Sequence, residues 1–471
     1  MFRSSKSYQC FSKNDIWKIN DKVYSDPRGR AWMKVPSLFT SNCKIAEHFA
    51  LYIRAIMRKH PNEKAQILEV GCGTAAFAYY LCFFLNKYQV NYEMTLTDMC
   101  QESIDYLSQL PQWKAQKVNW LTIDVRKQVN LSSIGDGPLF LMANYFLDSL
   151  PFLGLQEESG QWQRAKIRVD HIEQYHVDNI DQFKFDIQYE PIEINNLPED
   201  IQNVLPNPSQ FNGKTIVPTV LFDFLKQVMK QRKTIYGCFH DKGYQHVQAS
   251  SYGQQYSLTT DGAIHYMFNF DIFERWIESM GGFSACFGRN SSFMNFWMLG
   301  DAPKAQEDVI NDINSRFIWR DDFDMMTMTN RLMSGRYDEV WTLMNFVAFC
   351  PSVFLRIIAV FSDQVKANPK LKKDNYTIVQ KVLERFYWHP VFESGFFQLI
   401  TILVNLGQHE DALKLHQQYQ PFVESQHAAN LSKGVILYSK GDYTQSKICF
   451  KQALTLNRHC AESKKYLDLM V

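Results

Sequence analysis

The 471-residue sequence lacks most features that assign a chain to a specialised class of protein. Its ten cysteines are scattered, with no C-x-x-C pair and no Cys/His cluster at zinc spacing. This pattern excludes a disulfide framework, predicts no metal centre, and fits reduced thiols in a cytoplasmic compartment. Fifty Lys and Arg against 49 Asp and Glu give a net charge of +1. No field of one sign therefore attracts an anionic membrane, and we expect no nucleic-acid partner.

Long uninterrupted apolar runs are also missing. The most apolar stretch, Met344–Phe361, is interrupted by Pro351 and Arg356, so we interpret it as paired helices and predict no transmembrane segment. Residues 1–15 are basic and contain serine but have no apolar core, which excludes a secretory signal. We therefore expect a cytoplasmic protein, and the basic start leaves a mitochondrial leader open.

Apolar and aromatic residues are abundant, at 46% and 14% of the chain, which is ample for buried cores. A chain of this length is expected to form two or three domains. The patterning predicts an N-terminal segment at 1–60, an α/β domain at 61–301 with an insertion at about 153–218, and helical repeats at 305–471. Within the N-terminal segment, Ser41–Lys59 has the three- and four-residue apolar spacing of a helix.

The chain is organised around Gln66–Leu85, where a short apolar strand, a glycine turn and an apolar helix follow one another. The strand carries Glu69, and the turn is Gly71–Cys72–Gly73, where glycines permit a sharp bend and the close approach of a ligand. The segment E-V-G-C-G-T-A resembles the first motif of class I S-adenosylmethionine-dependent methyltransferases. The resemblance implies an S-adenosylmethionine cofactor and a helical lid upstream. An ordinary turn in an α/β core is the alternative.

Acidic residues follow the next two predicted strands. Asp98 follows strand Tyr92–Thr97 and could accept hydrogen bonds from both ribose hydroxyls, or it could cap a helix. Asp124 follows strand Val118–Ile123. In the class this position often meets the adenine amino group, although aspartate also caps turns. The predicted cofactor-binding residues are Glu69, Gly71, Cys72, Gly73, Asp98, Met99, Asp124, Val125 and Asn144.

A fully apolar run, Pro138–Ala143, predicts a strand at the buried centre of a parallel sheet. It leads into Asn144–Pro151, at the carboxyl edge where ligands bind in open α/β sheets. The side chains of Asn144 and Tyr145 are therefore expected to face ligand. The insertion Leu153–Pro218 is either a substrate cover or a surface elaboration.

The later elements complete an α/β fold. The pattern predicts helix Val220–Gln231, strand Thr234–Phe239, helix Phe270–Met280 and a terminal hairpin of Phe283–Phe287 with Ser292–Leu299. This order is that of a seven-stranded, Rossmann-like methyltransferase sheet whose last strand runs antiparallel.

After residue 301 the pattern is helical and repetitive. Gly407 and Gly441 lie 34 residues apart, each with a small residue five positions later, Ala412 and Ser446. Two earlier, degenerate copies are predicted, one that contains Ser334–Tyr337 and one that ends at Trp388–Pro390. The spacing resembles the tetratricopeptide repeat, which implies a concave protein-binding surface. An unrelated helical bundle is the alternative.

Together with the glycine turn, the segments Phe39–Ser41, Ala143–Pro151 and Phe239–Tyr244 resemble the MidA-type methyltransferase family. That family is linked to complex I assembly and to protein arginine methylation. The chain departs from the family pattern at Cys43 and Tyr145, where the family has glutamates. Because carboxylates hold guanidinium groups, these departures weaken the arginine interpretation and leave cofactor binding unaffected.

We therefore predict an S-adenosylmethionine-dependent methyltransferase that acts on a protein or peptide selected by the helical repeats. Asn144, Tyr145 and Asp148 are expected to shape the acceptor pocket. The candidate bases, if the acceptor must lose a proton, are Asp148, Asp241 and His240. The alternative is a scaffold or assembly factor, catalytically weak or inactive, that binds protein partners.

Overall fold

The computed structural model describes residues 7–26, 41–169, 175, 179–182, 184–211, 213–245, 263–289, 292–300, 338–367 and 369–470. The chain divides into two compact units. The first comprises residues 1–41, 45–108 and 117–325, and the second comprises residues 42–44, 109–116 and 326–471. The predicted features at Phe39–Thr40, at the boundary 301–305 and at Ser334–Tyr337 lie outside the described residues.

The α/β part of the chain alternates strands with helices. Its helices are α1 (Ile16–Tyr24), α2 (Cys43–Met57), α3 (Ala76–Lys87), α4 (Gln101–Ser108), α5 (Glu199–Gln202), α6 (Thr219–Met229) and α7 (Phe270–Ser279). Its first seven strands are β1 (Gln9–Cys10), β2 (Ala65–Val70), β3 (Tyr92–Asp98), β4 (Val118–Thr122), β5 (Leu139–Asn144), β6 (Leu153–Glu158) and β7 (Gln161–Val169). The remaining six are β8 (Phe185–Pro191), β9 (Lys214–Val217), β10 (Thr234–Tyr244), β11 (Phe268–Asn269), β12 (Phe283–Arg289) and β13 (Ser292–Gly300).

Eight strands form the main sheet, in the order β12-β13-β10-β5-β2-β3-β4, with β11 beside β10. The pairs from β10 to β4 are parallel, whereas β13 runs antiparallel to both of its neighbours. The α/β class and the antiparallel last strand agree with prediction. The strand count differs because β11, with two residues, is too short to give a periodic signal. Chain order reverses between β2 and β5, which places the switch-point crevice at their carboxyl ends.

The central strands are apolar on both faces because helices cover both faces. Tyr52 of α2 packs edge-on against Phe140 of β5, with ring centroids 6.3 Å apart. Phe140 pairs with Tyr236, so Phe239, three residues further along β10, points to the other face. There its ring lies 5.5 Å from that of Phe273 in α7. Helix α2 therefore belongs to the core, whereas the resemblance implied a lid.

The insertion forms a second, antiparallel sheet in the order β1-β7-β6-β9, with β8 beside β7. Strands β7 and β8 pair antiparallel, from Gln163 opposite Pro191 to Val169 opposite Phe185. The pairing of β1 with this sheet has no local signal, because 156 residues separate Cys10 from its partner Lys166. Trp162 is buried, and it belongs to the same hydrophobic core as Leu141 and Phe239 of the main sheet.

The second unit is helical. Its helices are α8 (Asp338–Phe346), α9 (Pro351–Ala367), α10 (Lys372–Leu383), α11 (Glu393–Asn405), α12 (His409–Tyr419), α13 (Gln426–Lys440), α14 (Tyr443–Leu456) and α15 (Ala461–Asp468). Gly407 and Gly441, with φ of +74° and +90°, lie in the turns after α11 and α13. Ala412 and Ser446 are fully buried in the helices that follow. The helical pairs agree with prediction, and their assignment as tetratricopeptide repeats stays a prediction. In the described segments no helix is long and apolar enough to span a membrane.

The crossing of α13 and α14 depends on Gly434. A Cβ at this position would lie 2.6 Å from the ring of Phe450, and the Ser446 hydroxyl donates to the Gly434 carbonyl at 2.8 Å. We predict that Gly434→Ala lowers the free energy of unfolding by about 1–3 kcal/mol in urea titrations, because the added methyl overpacks the crossing.

Two further variants serve as controls for the predicted effect of Gly434→Ala on stability. Phe450→Leu added to Gly434→Ala should recover part of the loss, because the smaller side chain makes room for the methyl group. Ser439→Ala, on the exposed side of α13, should leave the free energy of unfolding unchanged. A Gly434→Ala protein as stable as the wild type would contradict the close crossing.

Candidate functional site

The turn after β2 is held in place by the neighbouring strand. Gly71 and Gly73 have φ of +67° and +54°, in the left-handed region that favours glycine. The Cys72 N–H donates to the Thr97 carbonyl at 2.8 Å, and the Gly73 N–H donates to Asp98 Oδ2 at 3.3 Å. The turn is therefore formed and anchored by the protein itself.

The ring of Phe146 lies against this turn. A Cβ on Gly71 would stand 2.3 Å from the ring, so glycine is required here by a contact within the protein. Phe146 follows Tyr145, which has a φ of +55° at the end of β5. Backbone strain of this kind in a tyrosine is typical of functional sites.

Asp98 accepts main-chain hydrogen bonds as a cap does, and its contact with the ribose stays a prediction. Its Oδ1 accepts from the Cys100 N–H at 3.1 Å, beside the start of α4, and its Oδ2 accepts from Gly73. Burial raises the pKa of this carboxyl to about 6, while the N–H donors act in the opposite direction. A carboxylate has room for about four hydrogen bonds, so Asp98 keeps the capacity to bind ligand hydroxyls.

Glu69 is a buried acid in the middle of the sheet. Glu69 is 3% exposed, and its Oε2 atom has no hydrogen-bond partner in the described part of the chain. Removal from water raises the pKa of the Glu69 carboxyl to about 8. This unpaired, buried oxygen lies two residues before the Gly71–Gly73 turn. It could accept a hydrogen bond from a ligand bound at that turn.

Asp124 is occupied by protein groups. Arg126 donates to it from Nε at 2.8 Å, from Nη2 at 3.0 Å and from its main-chain N–H at 3.1 Å. Nη1 of Arg126 reaches both carboxylate oxygens of Asp21 in α1, each at 2.9 Å. Val125 is buried, and Met99 Sδ lies 3.6 Å from Arg126 Nη2. The structure therefore shows Asp124 as a turn cap and ion-pair partner, and the adenine contact stays a prediction.

Helix α1 also contacts the carboxyl edge of the sheet. The hydroxyls of Tyr24 and Ser149 lie 3.3 Å apart, and Asn20 Oδ1 accepts from the Ile264 N–H at 3.0 Å. Burial, followed by the charge of Asp148, raises the pKa of Tyr24. No pattern in the sequence indicates these contacts, because they join residues more than 100 positions apart.

Asn144 and Tyr145 lie at the carboxyl end of the central strand, where the apolar run predicts them. Asn144 Nδ2 donates to the Ser41 hydroxyl at 2.9 Å, while its Oδ1 has no hydrogen-bond partner among the described residues. The Tyr145 N–H donates to the His240 carbonyl at 2.9 Å, which continues the pairing of β5 with β10.

Strand β10 runs to Tyr244, five residues beyond its predicted end, so His240 and Asp241 lie inside it. Both are buried, at 1% and 0% exposed. The Asp241 carboxyl accepts from four main-chain N–H groups at 2.6–3.3 Å, those of Phe146, Leu147, Asp148 and Lys242. Burial and then Asp148 raise the pKa of Asp241, while these N–H groups and Lys242 act against the rise. Asp241 therefore caps the turn after β5, and neither residue is placed to act as a base.

Asp148 completes a charged cluster with Lys242. Its Oδ1 accepts from the Ser149 hydroxyl at 3.0 Å, and its Oδ2 is 3.6 Å from Lys242 Nζ. Lys242 Nζ also lies 3.4 Å from His265 Nδ1 and 5.0 Å from the centre of the Tyr145 ring. Sequence reasoning assigns no role to Lys242 or His265, and the only available signal is the place of Lys242 in the Phe239–Tyr244 segment.

No protein-family model and no curated protein matches the chain. Solved structures similar to it include two Burkholderia thailandensis proteins of one superfamily, the second bound to S-adenosyl-homocysteine. Each is 15% identical over 60% of this chain and 75% of the other, with TM-scores of 0.39 and 0.38. An S-adenosylmethionine-dependent methyltransferase from Aquifex aeolicus is 11% identical over 58% and 98%, with a TM-score of 0.28. These values are too low to transfer a function.

Glu69 gives the site a measurable pH dependence. Its pKa of about 8 in the folded protein is above the ordinary value of 4.5, so the folded state binds this proton more tightly than the unfolded state. The stability linked to Glu69 is therefore complete below about pH 4.5 and is lost as the pH rises towards 8.

We predict that Glu69→Gln, which cannot ionise, gains stability relative to the wild type by about 1–3 kcal/mol between pH 5 and pH 9. Urea unfolding of both proteins across this range measures the difference, and other titrating groups cancel because both proteins contain them. A difference that does not change with pH would show that Glu69 is ionised throughout.

Proposed function

We propose that the chain is an S-adenosylmethionine-dependent methyltransferase that acts on a protein or peptide. One observation carries the proposal. The anchored turn Gly71–Gly73, the Asp98 carboxyl and the unpaired Glu69 oxygen lie together where chain order reverses between β2 and β5. In open α/β sheets this crevice is where cofactors bind.

The residues present fit S-adenosylmethionine. Asp98 accepts the ribose hydroxyls with the lone pairs that Cys100 and Gly73 leave free. Glu69 Oε2, which has no protein donor among the described residues, accepts from a donor group of the cofactor. The bound cofactor supplies a methyl group on a positively charged sulfur, and the protein supplies orientation and exclusion of water.

The acceptor pocket is formed by the turn after β5. Asn144 has an unpaired Oδ1, and the ring of the strained Tyr145 lies beside Lys242. Asp148 is fully buried, so we assign it a positioning role, in which it holds the Ser149 hydroxyl and the Lys242 ammonium. Methyl transfer is an in-line displacement, for which alignment of the two reactants supplies much of the acceleration.

A groove in the helical unit supports a protein acceptor. Phe397 and Thr401 of α11 face Leu431 and Val435 of α13 across a pocket of about 190 Å³. Ser432 in its wall is 9% exposed, and its hydroxyl has no hydrogen-bond partner within the described ranges. Half-buried apolar side chains beside one unpaired hydroxyl suit the side chain of a bound polypeptide.

A second candidate function, a scaffold that does not transfer methyl groups, is favoured by Phe146. Its ring lies against Gly71 and takes space that a cofactor would approach. Binding of the methyl donor, S-adenosylmethionine, distinguishes the two functions, because a scaffold does not need it.

We predict that Asp98→Asn weakens binding of S-adenosylmethionine and S-adenosylhomocysteine by about 1–3 kcal/mol in isothermal titration, since an amide accepts fewer hydrogen bonds than a carboxylate. Asp105→Asn, on the exposed surface of α4, is the matched control and should not change the affinity. No binding to the wild type would reject the methyltransferase and leave the scaffold. Equal affinities for all three proteins would remove Asp98 from the site.

We further predict that Val435→Glu reduces methyl transfer to protein acceptors while donor affinity stays at the wild-type value. The added carboxylate places a charge in the apolar wall of the groove, which would expel an apolar side chain. Lys451→Glu, on the exposed side of α14, serves as the control for adding a negative charge. Radiolabel transfer into a lysate from a strain without the protein measures the effect. Unchanged labelling by Val435→Glu would exclude the groove from substrate selection.

A further inference from the structure

Lys242 is the charged group that an acceptor would meet first at the turn after β5. The Lys242 side chain is 21% exposed to solvent, whereas that of the neighbouring Asp148 is 1% exposed. Asp241, the other carboxyl of the cluster, is 0% exposed and accepts four main-chain N–H bonds. The accessible charge is therefore positive, although two of the three charged residues are acidic.

This arrangement is unsuited to a cationic acceptor. A guanidinium or ammonium group needs an accessible carboxylate, and Asp148 is the only acidic residue in the segment 144–151. Its Oδ2 already faces Lys242 Nζ at 3.6 Å. The neighbouring Tyr145 ring, 5.0 Å from the same Nζ, holds the ammonium by a cation–π contact. A cationic acceptor would therefore meet the Lys242 ammonium and no accessible carboxylate of this cluster.

The three candidate bases named from the sequence are also inaccessible. His240, Asp241 and Asp148 are each 1% exposed or less. An ammonium acceptor must lose a proton before it attacks, whereas a carboxylate is already ionised at neutral pH, with ordinary pKa values of about 4. A carboxylate acceptor therefore needs a cation to hold it and no base, which is what this turn offers.

We propose that Lys242 selects the acceptor and that the acceptor is a carboxylate, an inference that rests on the methyltransferase function proposed above. One carboxylate oxygen bonds to the methyl carbon of S-adenosylmethionine while the carbon–sulfur bond breaks. The electron pair of that bond stays on sulfur. The products are a methyl ester and the neutral thioether S-adenosylhomocysteine, with no proton transferred. Lys242 binds the carboxylate and is released when the ester has lost its charge.

The chemistry of the label distinguishes this proposal from the alternatives. The full-length protein is incubated with S-[methyl-³H]adenosylmethionine and a lysate from a strain without the protein, and the labelled products are treated with alkali. Methyl esters release volatile methanol under these conditions, whereas N-methyl groups do not. We expect most of the label to be volatile. Alkali-stable label, or no label despite donor binding in isothermal titration, would overturn the carboxylate acceptor. Absence of donor binding would reject the proposed function itself.

Variants at Lys242 test its role directly. Lys242→Met should lower alkali-labile transfer by about 10-fold or more, because the acceptor loses a charged hydrogen-bond partner. Lys242→Arg keeps the cation and should retain more activity than the methionine variant. Donor affinity should match the wild type in both. Transfer by Lys242→Met at the wild-type rate would overturn the assignment.

Removing Lys242 alone leaves Asp148 buried without its partner, which destabilises a fold. The double variant Lys242→Met/Asp148→Asn removes both charges, and we expect it to fold, bind donor and show the same loss of transfer. Lys226→Met is the matched control, because it breaks a half-exposed pair with Asp200 at 3.0 Å elsewhere in the same unit. It should change neither donor affinity nor transfer, and an equal loss of transfer there would mean that Lys242 acts only through stability.

Discussion

The buried Asp241 carboxyl is the interaction on which the geometry of the site depends. It stands within β10 and accepts the N–H groups of three consecutive residues in the turn after β5, as well as that of Lys242. Each of these donors would cost about 1–3 kcal/mol if buried without an acceptor. One carboxyl therefore ties the carboxyl ends of two neighbouring strands together and fixes the direction in which the turn leaves β5.

The consequences extend to every side chain proposed to meet the acceptor. The fixed turn holds Tyr145 at a positive φ and places Asp148 against Lys242. Tyr266 donates from its hydroxyl to the Leu147 carbonyl at 3.0 Å and closes the turn from the other side. Among the three charged residues of the cluster, Lys242 has the most exposed side chain.

The N-terminal helix adds a second connection across the same edge. Arg126 bridges Asp124, after β4, to Asp21 of α1, and the ends of β3 and β4 are joined further through Met99. The pair with Asp21 is partly exposed, with side-chain exposures of 27% and 33%, so its contribution to stability is modest. Its main effect is geometric, because it holds α1 beside the predicted cofactor residues. The same ion pair explains why Asp124 is occupied by the protein.

What the sequence determined by itself is local. The glycine turn after β2, the apolar central strand and the helical turns at Gly407 and Gly441 follow from backbone conformation and from apolar periodicity, which neighbouring residues specify. The predicted positions of Asp98, Asn144 and Tyr145 at the carboxyl ends of their strands agree with the structure for the same reason, since a strand's end fixes where the next residues lie.

Only the tertiary structure determines which of these side chains are buried or paired within the protein and which remain able to contact a ligand. Asp241 became a cap because β10 extends along β13 as far as Lys242, a pairing that no local pattern encodes. Lys242 contacts Asp148 and His265, which are 94 and 23 residues away in the sequence. Arg126 contacts Asp21, which is 105 residues away. Burial and charge pairing arise only when distant segments pack together. The sequence therefore predicts the residue types at the edge of the sheet. It does not predict which of their charged side chains are exposed.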